Sequence, residues 1–315
     1  MPEIAPHFPP MPRPVRYRAS SWTVVAAALL IGFALVLSPG NGAAAAPGAA
    51  IIAAVPVTAV LVAGDGSIRV FDNAVAALRN RLLQAAIDPG RIRVLTSTPS
   101  LAQPGMRDGM QAAIWSRVTR RISDLAPRPG EACLVFVTSH GAPGDGLVLS
   151  LEDEFLSPRD LDEALSGGCA TAPTVVIASG CYSGDFAHGV MARANRIVLT
   201  ASRSDRPSFG CDADSTYTFF DECLLGSLDH AVTWQAVYHL TRSCVAAQER
   251  RMHATPSHPQ AFFGRNVARL ATPWASGDQR TASPARLSGS GIVHPLPASV
   301  PVIQPVRRFP ATLRP

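Results

Sequence analysis

Lysine is absent from this chain: its 28 basic residues are all arginine, and the formal net charge is +5. Much of that charge sits at the two ends, at Arg13, Arg16 and Arg18 and again at Arg307, Arg308 and Arg314. No arginine run is interleaved with aromatic side chains, so the basic balance reads as arginine-biased composition and not as a nucleic-acid surface. Cys-x-x-Cys, His-x-x-x-His and His-Glu-x-x-His are all missing, which argues against a metal site. Gly64-Asp65-Gly66 comes nearest to a glycine-rich phosphate loop and lacks a third glycine at the right spacing. There is no Gly-x-Ser-x-Gly, which argues against a serine hydrolase of the nucleophile-elbow type. No internal repeat is visible.

What is present begins with an export signal. Arg13 to Arg18 form a basic stretch, Trp22 to Leu37 an apolar run, and Ala43 to Ala46 a small-residue segment. This is the layout of a secretory signal, and cleavage after about Ala46 is the preferred reading. The apolar run has 16 residues, short of the roughly 20 that a spanning helix needs. The alternative is an uncleaved anchor that holds the protein to the inner membrane through residues 22–37. In either case the rest of the chain is expected to be periplasmic or secreted. Six cysteines then lie where disulfides persist. Cys133 with Cys169, near the starts of two strands, and Cys223 with Cys244, on successive helical segments, are two pairings that spacing alone cannot establish.

The apolar content of 47% supports a globular core. Residues 47–56 read as an Ala/Pro/Gly linker and 272–315 as a disordered Pro/Ser/Arg-rich tail. Between them, over 57–271, apolar runs alternate with helical periodicity. Strands are expected at 57–63, 92–95, 133–138, 174–179 and 196–201, with a hairpin turning at Gly144-Asp145-Gly146. Helices are expected around Val75–Leu83, Met110–Leu125 and Val232–Arg250, and one opens at Ser157-Pro158. Near-continuous apolar strands between helices predict an α/β sandwich whose sheet is mainly parallel and covered on both faces.

Two of these strands end in chemistry. Cys133–Thr138 runs into Ser139-His140-Gly141, and Thr174–Ser179 runs into Gly180-Cys181-Tyr182-Ser183-Gly184. Open α/β sheets present reactive groups at such strand ends. A thiol and an imidazole are the minimum for a cysteine nucleophile with its base. Cys181 is thus the candidate nucleophile and His140 the candidate base. The backbone N–H groups of Gly141 and Cys181 are candidate oxyanion donors. A helix starting near Ser183 would aim its positive end at the sulfur.

The paired Ser139-His140-Gly141 and Ser179-Gly180-Cys181-Tyr182-Ser183-Gly184 segments resemble the legumain-type cysteine peptidases of the C13 family. The resemblance runs through Gly64-Asp65-Gly66, Leu199-Thr200-Ala201-Ser202, Phe209-Gly210-Cys211 and Pro259-Gln260-Ala261-Phe262-Phe263-Gly264, over about 57–265. It implies a caspase-like three-layer sandwich, a His140–Cys181 dyad, polypeptide substrates and no metal or cofactor. Asparagine-specific members line their first specificity pocket with an arginine after the first strand and with acidic residues. Here the resemblance places Asp72, Ser179 and Phe220 at those positions, so strict cleavage after asparagine is not expected to carry over. Asp72, Ser179, Asp212 and Asp214 are the candidate substrate-binding residues, and these aspartates together with Asp205 would favour a basic side chain. Metacaspases are a sister resemblance, but they carry an acidic residue where Ser179 stands.

The expectation is therefore a cysteine endopeptidase acting on exported polypeptides through a thioester. The alternatives are a non-catalytic binding domain of the same fold, a transpeptidase, or a thiol hydrolase of non-peptide substrates.

Overall fold

The computed structural model describes residues 53–102 and 110–275. The export segment 1–46, residues 47–52 of the linker and residues 276–315 of the tail lie outside the described residues. Thr272 and Trp274, expected in the tail, are instead packed, Thr272 donating its N–H to the Val232 carbonyl and Trp274 meeting the Trp234 ring.

Among the described residues ten strands form in chain order: β1 (Val57–Ala63), β2 (Ile92–Thr96), β3 (Gln111–Ala112), β4 (Ala132–Thr138), β5 (Gly141–Ala142), β6 (Gly146–Leu149), β7 (Glu154–Leu156), β8 (Thr174–Ser179), β9 (Arg196–Thr200) and β10 (Gln260–Phe263). Five α-helices accompany them: α1 (Val70–Gln84), α2 (Trp115–Ser123), α3 (Pro158–Gly168), α4 (Phe219–Leu228) and α5 (Trp234–Arg251). Seven strands build the main sheet in the order β10-β9-β8-β4-β1-β2-β3. All pair in parallel except β10, which runs antiparallel to β9. Strands β5, β6 and β7 form a separate small antiparallel sheet over the end of β4.

Strand alternation divides the core into two layers. In β4, Leu134 and Phe136 face one side and pack with Val70, Phe71, Ala74, Val75 and Leu78 of α1, Leu224 and Leu228 of α4 and Trp234 of α5. Val135 and Val137 face the other side and pack with Val118 and Ile122 of α2 and Leu161 and Leu165 of α3. Because β1, β4 and β8 are buried along their whole length on both faces, their sequences are continuously apolar rather than alternating. The expected α/β sandwich with a mainly parallel sheet is what forms.

Three local details differ from the sequence reading. The helix expected from Met110 starts only at Trp115, whose N–H donates to the Glu152 carboxylate; Gln111 and Ala112 instead pair with Leu95 and Thr96 as edge strand β3. The segment after Cys181 is a five-residue 3₁₀ turn, Ser183–Ala187, and not an α-helix. The antiparallel edge β10 joins the sheet where the residues were read only as part of the family resemblance. By contrast α3 opens as expected, with Pro158 in its first turn and reciprocal capping between Ser157 and Asp160.

The chain order of the sheet fixes where the site can be. From β1 the chain moves to β2 and β3 on one side, then crosses back to β4, β8 and β9 on the other. The order reverses between β1 and β4, and a crevice outside the carboxyl ends of the strands opens at such a reversal. His140 lies just past the end of β4.

Candidate active site

Strands β4 and β8 are direct neighbours, and their last residues, Thr138 and Ser179, are register partners. His140 and Cys181 each follow two residues later. The pairing continues past the strands, with the Ser139 N–H donating to the Ser179 carbonyl at 3.0 Å. The two expected reactive groups therefore emerge side by side, both half-buried.

Two glycines let the backbones approach this closely. A Cβ on Gly141 would fall 2.1 Å from the Cys181 carbonyl oxygen, and one on Gly180 would lie 2.5 Å from Leu147 Cδ2 and 2.8 Å from the Ser139 carbonyl oxygen. Either methyl group would force the two turns apart.

The cysteine turn is clasped from behind by Ala201, Ser202, Arg206 and Ser208. Tyr182 takes a left-handed conformation (φ 58°), and its N–H donates to the Arg206 carbonyl at 2.8 Å. The buried Ser183 hydroxyl accepts the N–H groups of Ala201 and Ser202. Ser202 in turn donates its hydroxyl to the Gly180 carbonyl at 3.1 Å. At the sulfur itself, the Ser208 backbone N–H donates to Cys181 Sγ at 3.3 Å. The Cys181 thiol in turn donates to the Ser208 carbonyl oxygen at 3.5 Å, and the Ser208 hydroxyl lies 3.7 Å from the same sulfur. The Cys181 N–H makes no hydrogen bond among the described residues, which leaves it available to an incoming oxygen.

The His140 ring meets the fully buried Phe71 ring edge to face, with centroids 5.2 Å apart and planes at 82°. Below both strand ends lies Asp221 of α4, a residue that the sequence did not single out. Thr138 Oγ1 donates to Asp221 Oδ2 at 2.6 Å, and the Asp221 N–H is capped by Thr218 Oγ1. Burial pushes the Asp221 carboxyl up to about 6, against the opposing pull of the Thr138, Ser179 and Thr218 hydroxyls.

The remaining candidates are placed as follows. Asp72 has both carboxylate oxygens engaged, accepting from Thr96 Oγ1 at 2.6 Å and Thr98 Oγ1 at 2.5 Å. Asp212 is exposed and turns back on Ser215, accepting from its N–H and hydroxyl. Asp214 is exposed, and Asp205 is paired with Arg203. Ser179 is buried beside Asp221. No side-chain contact draws Asp72, Asp212 and Asp214 into one cluster.

Cys133–Cys169 and Cys223–Cys244 are disulfides, leaving Cys181 and Cys211 as free thiols. Burial pushes Cys211 up to about 12, and the neighbouring Cys181, Asp221, Asp212 and Asp65 add to that effect. Cys211 thus stays a thiol at neutral pH, in a setting unsuited to a nucleophile. Among the described residues no cluster of three or more His, Cys, Asp or Glu side chains could hold a metal ion.

No curated protein matches the chain. Among solved structures it is similar to caspase-1 from Spodoptera frugiperda, with 11% identity, coverage of 67% of this chain and 88% of that one, and a TM-score of 0.46. Residues 116–265 match the model of the peptidase C13 family. That segment contains His140 and Cys181 with their glycines, so across it the chain is similar to the C13 family, as its two strand-end motifs indicated.

Proposed function

We propose that this chain is an exported cysteine endopeptidase in which Cys181 is the nucleophile and His140 the general base. The observation that carries the reading is the juxtaposition of the two groups beyond the Thr138–Ser179 register pair, within a segment matching the C13 family. His140 takes the Cys181 proton as Sγ attacks a peptide carbonyl carbon. The negative charge that develops on the carbonyl oxygen is met by the N–H groups of Cys181 and Gly141. Collapse of the tetrahedral intermediate breaks the C–N bond, and His140 passes the proton to the leaving amine. Water, deprotonated by His140, then attacks the thioester carbon and releases the new carboxylate and the Cys181 thiol.

Export is supported by two disulfides, which are rare in reducing compartments, together with the basic and apolar N-terminal sequence. Strict cleavage after asparagine is not part of the proposal, because the family resemblance places Ser179 where asparagine-specific members carry an acidic side chain. The test is a panel of fluorogenic peptides differing at the residue before the scissile bond. Iodoacetamide-sensitive cleavage by the wild type and none by Cys181→Ala supports the reading. Turnover unchanged in Cys181→Ala removes it, and a strong preference for asparagine over arginine would overturn the specificity argument.

A further inference from the structure

The most deeply buried acidic group near the site has no part in the chemistry just described. Asp221 is 0% exposed and lies 83 residues from its partner Thr138 in sequence. Its Oδ2 accepts the Thr138 hydroxyl, while Oδ1 makes no formed hydrogen bond. The buried Ser179 hydroxyl lies near enough to act on the same carboxyl, and its Oγ also lacks a formed bond. Burying a carboxyl with one oxygen unsatisfied is costly, so the fold bears a penalty at this point. That penalty needs a physical reason beyond packing.

Its placement supplies one. Thr138 and Ser179 are the last residues of β4 and β8, partnered to each other in register, and each lies two residues before a reacting side chain. A single carboxyl from α4 therefore stands against both strand ends at the rung that precedes the dyad. It is itself fixed by the Thr218 cap at the start of its helix, and α4 is tied to α5 by the Cys223–Cys244 disulfide.

We propose that Asp221 is a positioning residue for the His140–Cys181 pair, acting through the hydroxyls of Thr138 and Ser179. By accepting from Thr138, it fixes how far β4 extends before the chain turns at His140. With the Ser179 hydroxyl rotated onto Oδ1, the same carboxyl fixes β8 before Cys181. The separation and orientation of thiol and imidazole are then set by one rigid bridge and not by the two loops alone. Small misplacements of reacting groups are expensive in rate, which gives the buried carboxyl its value. The inference rests on the peptidase reading only for the identity of the reacting pair.

The experiment compares Thr138→Val, Thr138→Ser, Asp221→Ala and Asp221→Asn with the wild type in three readouts. These are thermal midpoint, kcat and KM on a cleaved peptide, and the pH profile of Cys181 alkylation by iodoacetamide read by peptide mass spectrometry. Thr138→Val is nearly isosteric and keeps the fold testable if Asp221→Ala does not fold. In Thr138→Val, kcat is expected to fall about 10- to 100-fold with KM unchanged. Cys181 alkylation at neutral pH is expected to slow about tenfold, as the two reacting groups are no longer held in place. Thr138→Ser and Asp221→Asn, which keep donor and acceptor, should restore both values to near wild type. Folded Thr138→Val and Asp221→Ala proteins with unchanged kcat and alkylation profile would overturn the inference, as would a loss confined to KM. If the wild type cleaves no peptide while its alkylation profile still depends on Thr138 and Asp221, the positioning role stands and the peptidase reading falls.

Discussion

The backbone N–H of Ser208 donates to the sulfur of Cys181 at 3.3 Å, across 27 residues of sequence. The Ser208 carbonyl oxygen accepts from the same thiol at 3.5 Å, and the Ser208 hydroxyl lies 3.7 Å from it. Ser208→Pro removes the main-chain donor, and a lost hydrogen bond is worth about 0.5–1.5 kcal/mol. The rate of Cys181 alkylation by iodoacetamide at neutral pH is therefore expected to fall by up to about tenfold in Ser208→Pro. Ser208→Ala keeps the main-chain donor and should lower it less. A folded Ser208→Pro protein with an unaltered rate would show that this contact does not tune the thiol.

Gly141 is irreplaceable for a steric reason. An added Cβ would lie 2.1 Å from the Cys181 carbonyl oxygen, inside any tolerable contact, and backbone must move to relieve it. Gly141→Ala is expected to cost about 1–3 kcal/mol of stability and to reduce kcat at least tenfold, since the displaced groups are the reacting ones. Thermal melting with steady-state kinetics checks this. Gly226→Ala is the control for an added methyl group without a clash, because its Cβ would meet nothing within 4 Å and its φ is not positive.

The thiol inventory makes a direct chemical prediction. Non-reducing peptide mapping should find Cys133 joined to Cys169 and Cys223 joined to Cys244. Iodoacetamide at neutral pH should label Cys181 rapidly and Cys211 slowly, since burial holds Cys211 near 12. Replacing Cys133 and Cys169 together with alanine opens a loop of 36 residues. The expected loss is about 3–4 kcal/mol by the chain-entropy relation, measured as a lower denaturation midpoint. Equal stability would mean that this crosslink restrains little in the unfolded chain.

Asp221 also sets a pH dependence of stability. Its folded value is raised from 3.8 to about 6 by burial, so folding favours its protonated form. The stability it permits is fully present below about pH 4 and is lost as pH rises through 6. The displacement corresponds to about 3 kcal/mol at most. Asp221→Asn removes the charge, so this variant should melt higher than the wild type at pH 8 and nearly equal to it at pH 4. Asp162 behaves in the opposite sense. Burial alone would raise it, but the Arg193 and Arg196 guanidiniums outweigh that and hold it low, so its contribution is lost as pH falls. A wild type more stable than Asp221→Asn at pH 8 would contradict the assignment of Asp221 as a strained acid.

Much of the fold was legible because its signals are local. The apolar runs of β1, β4 and β8 cannot be solvated on either face, and Ser157-Pro158 caps a helix wherever it stands. The edges were harder. Gln111-Ala112 continues a helical apolar spacing and becomes a strand only because the edge of β2 offers it hydrogen bonds. The turn after Cys181 tightens into a 3₁₀ piece because Tyr182 is already held in a left-handed conformation by Arg206.

The same division applies to the site. His140 and Cys181 were visible because a reactive residue followed or preceded by glycine, at the end of a buried strand, is a pattern confined to a few adjacent positions. Ser208, Ser202 and Asp221 carry no such mark: they are a loop serine, a strand-end serine and one of many acids in the chain. Only the tertiary structure brings them to the sulfur and the strand ends, because parallel pairing of β4 with β8 draws together segments that are far apart in sequence, and α4 closes over the result. The sequence by itself determined which groups react. Long-range packing decided what holds them in place, since buried polar contacts between distant segments exist only once the chain has excluded water from between them.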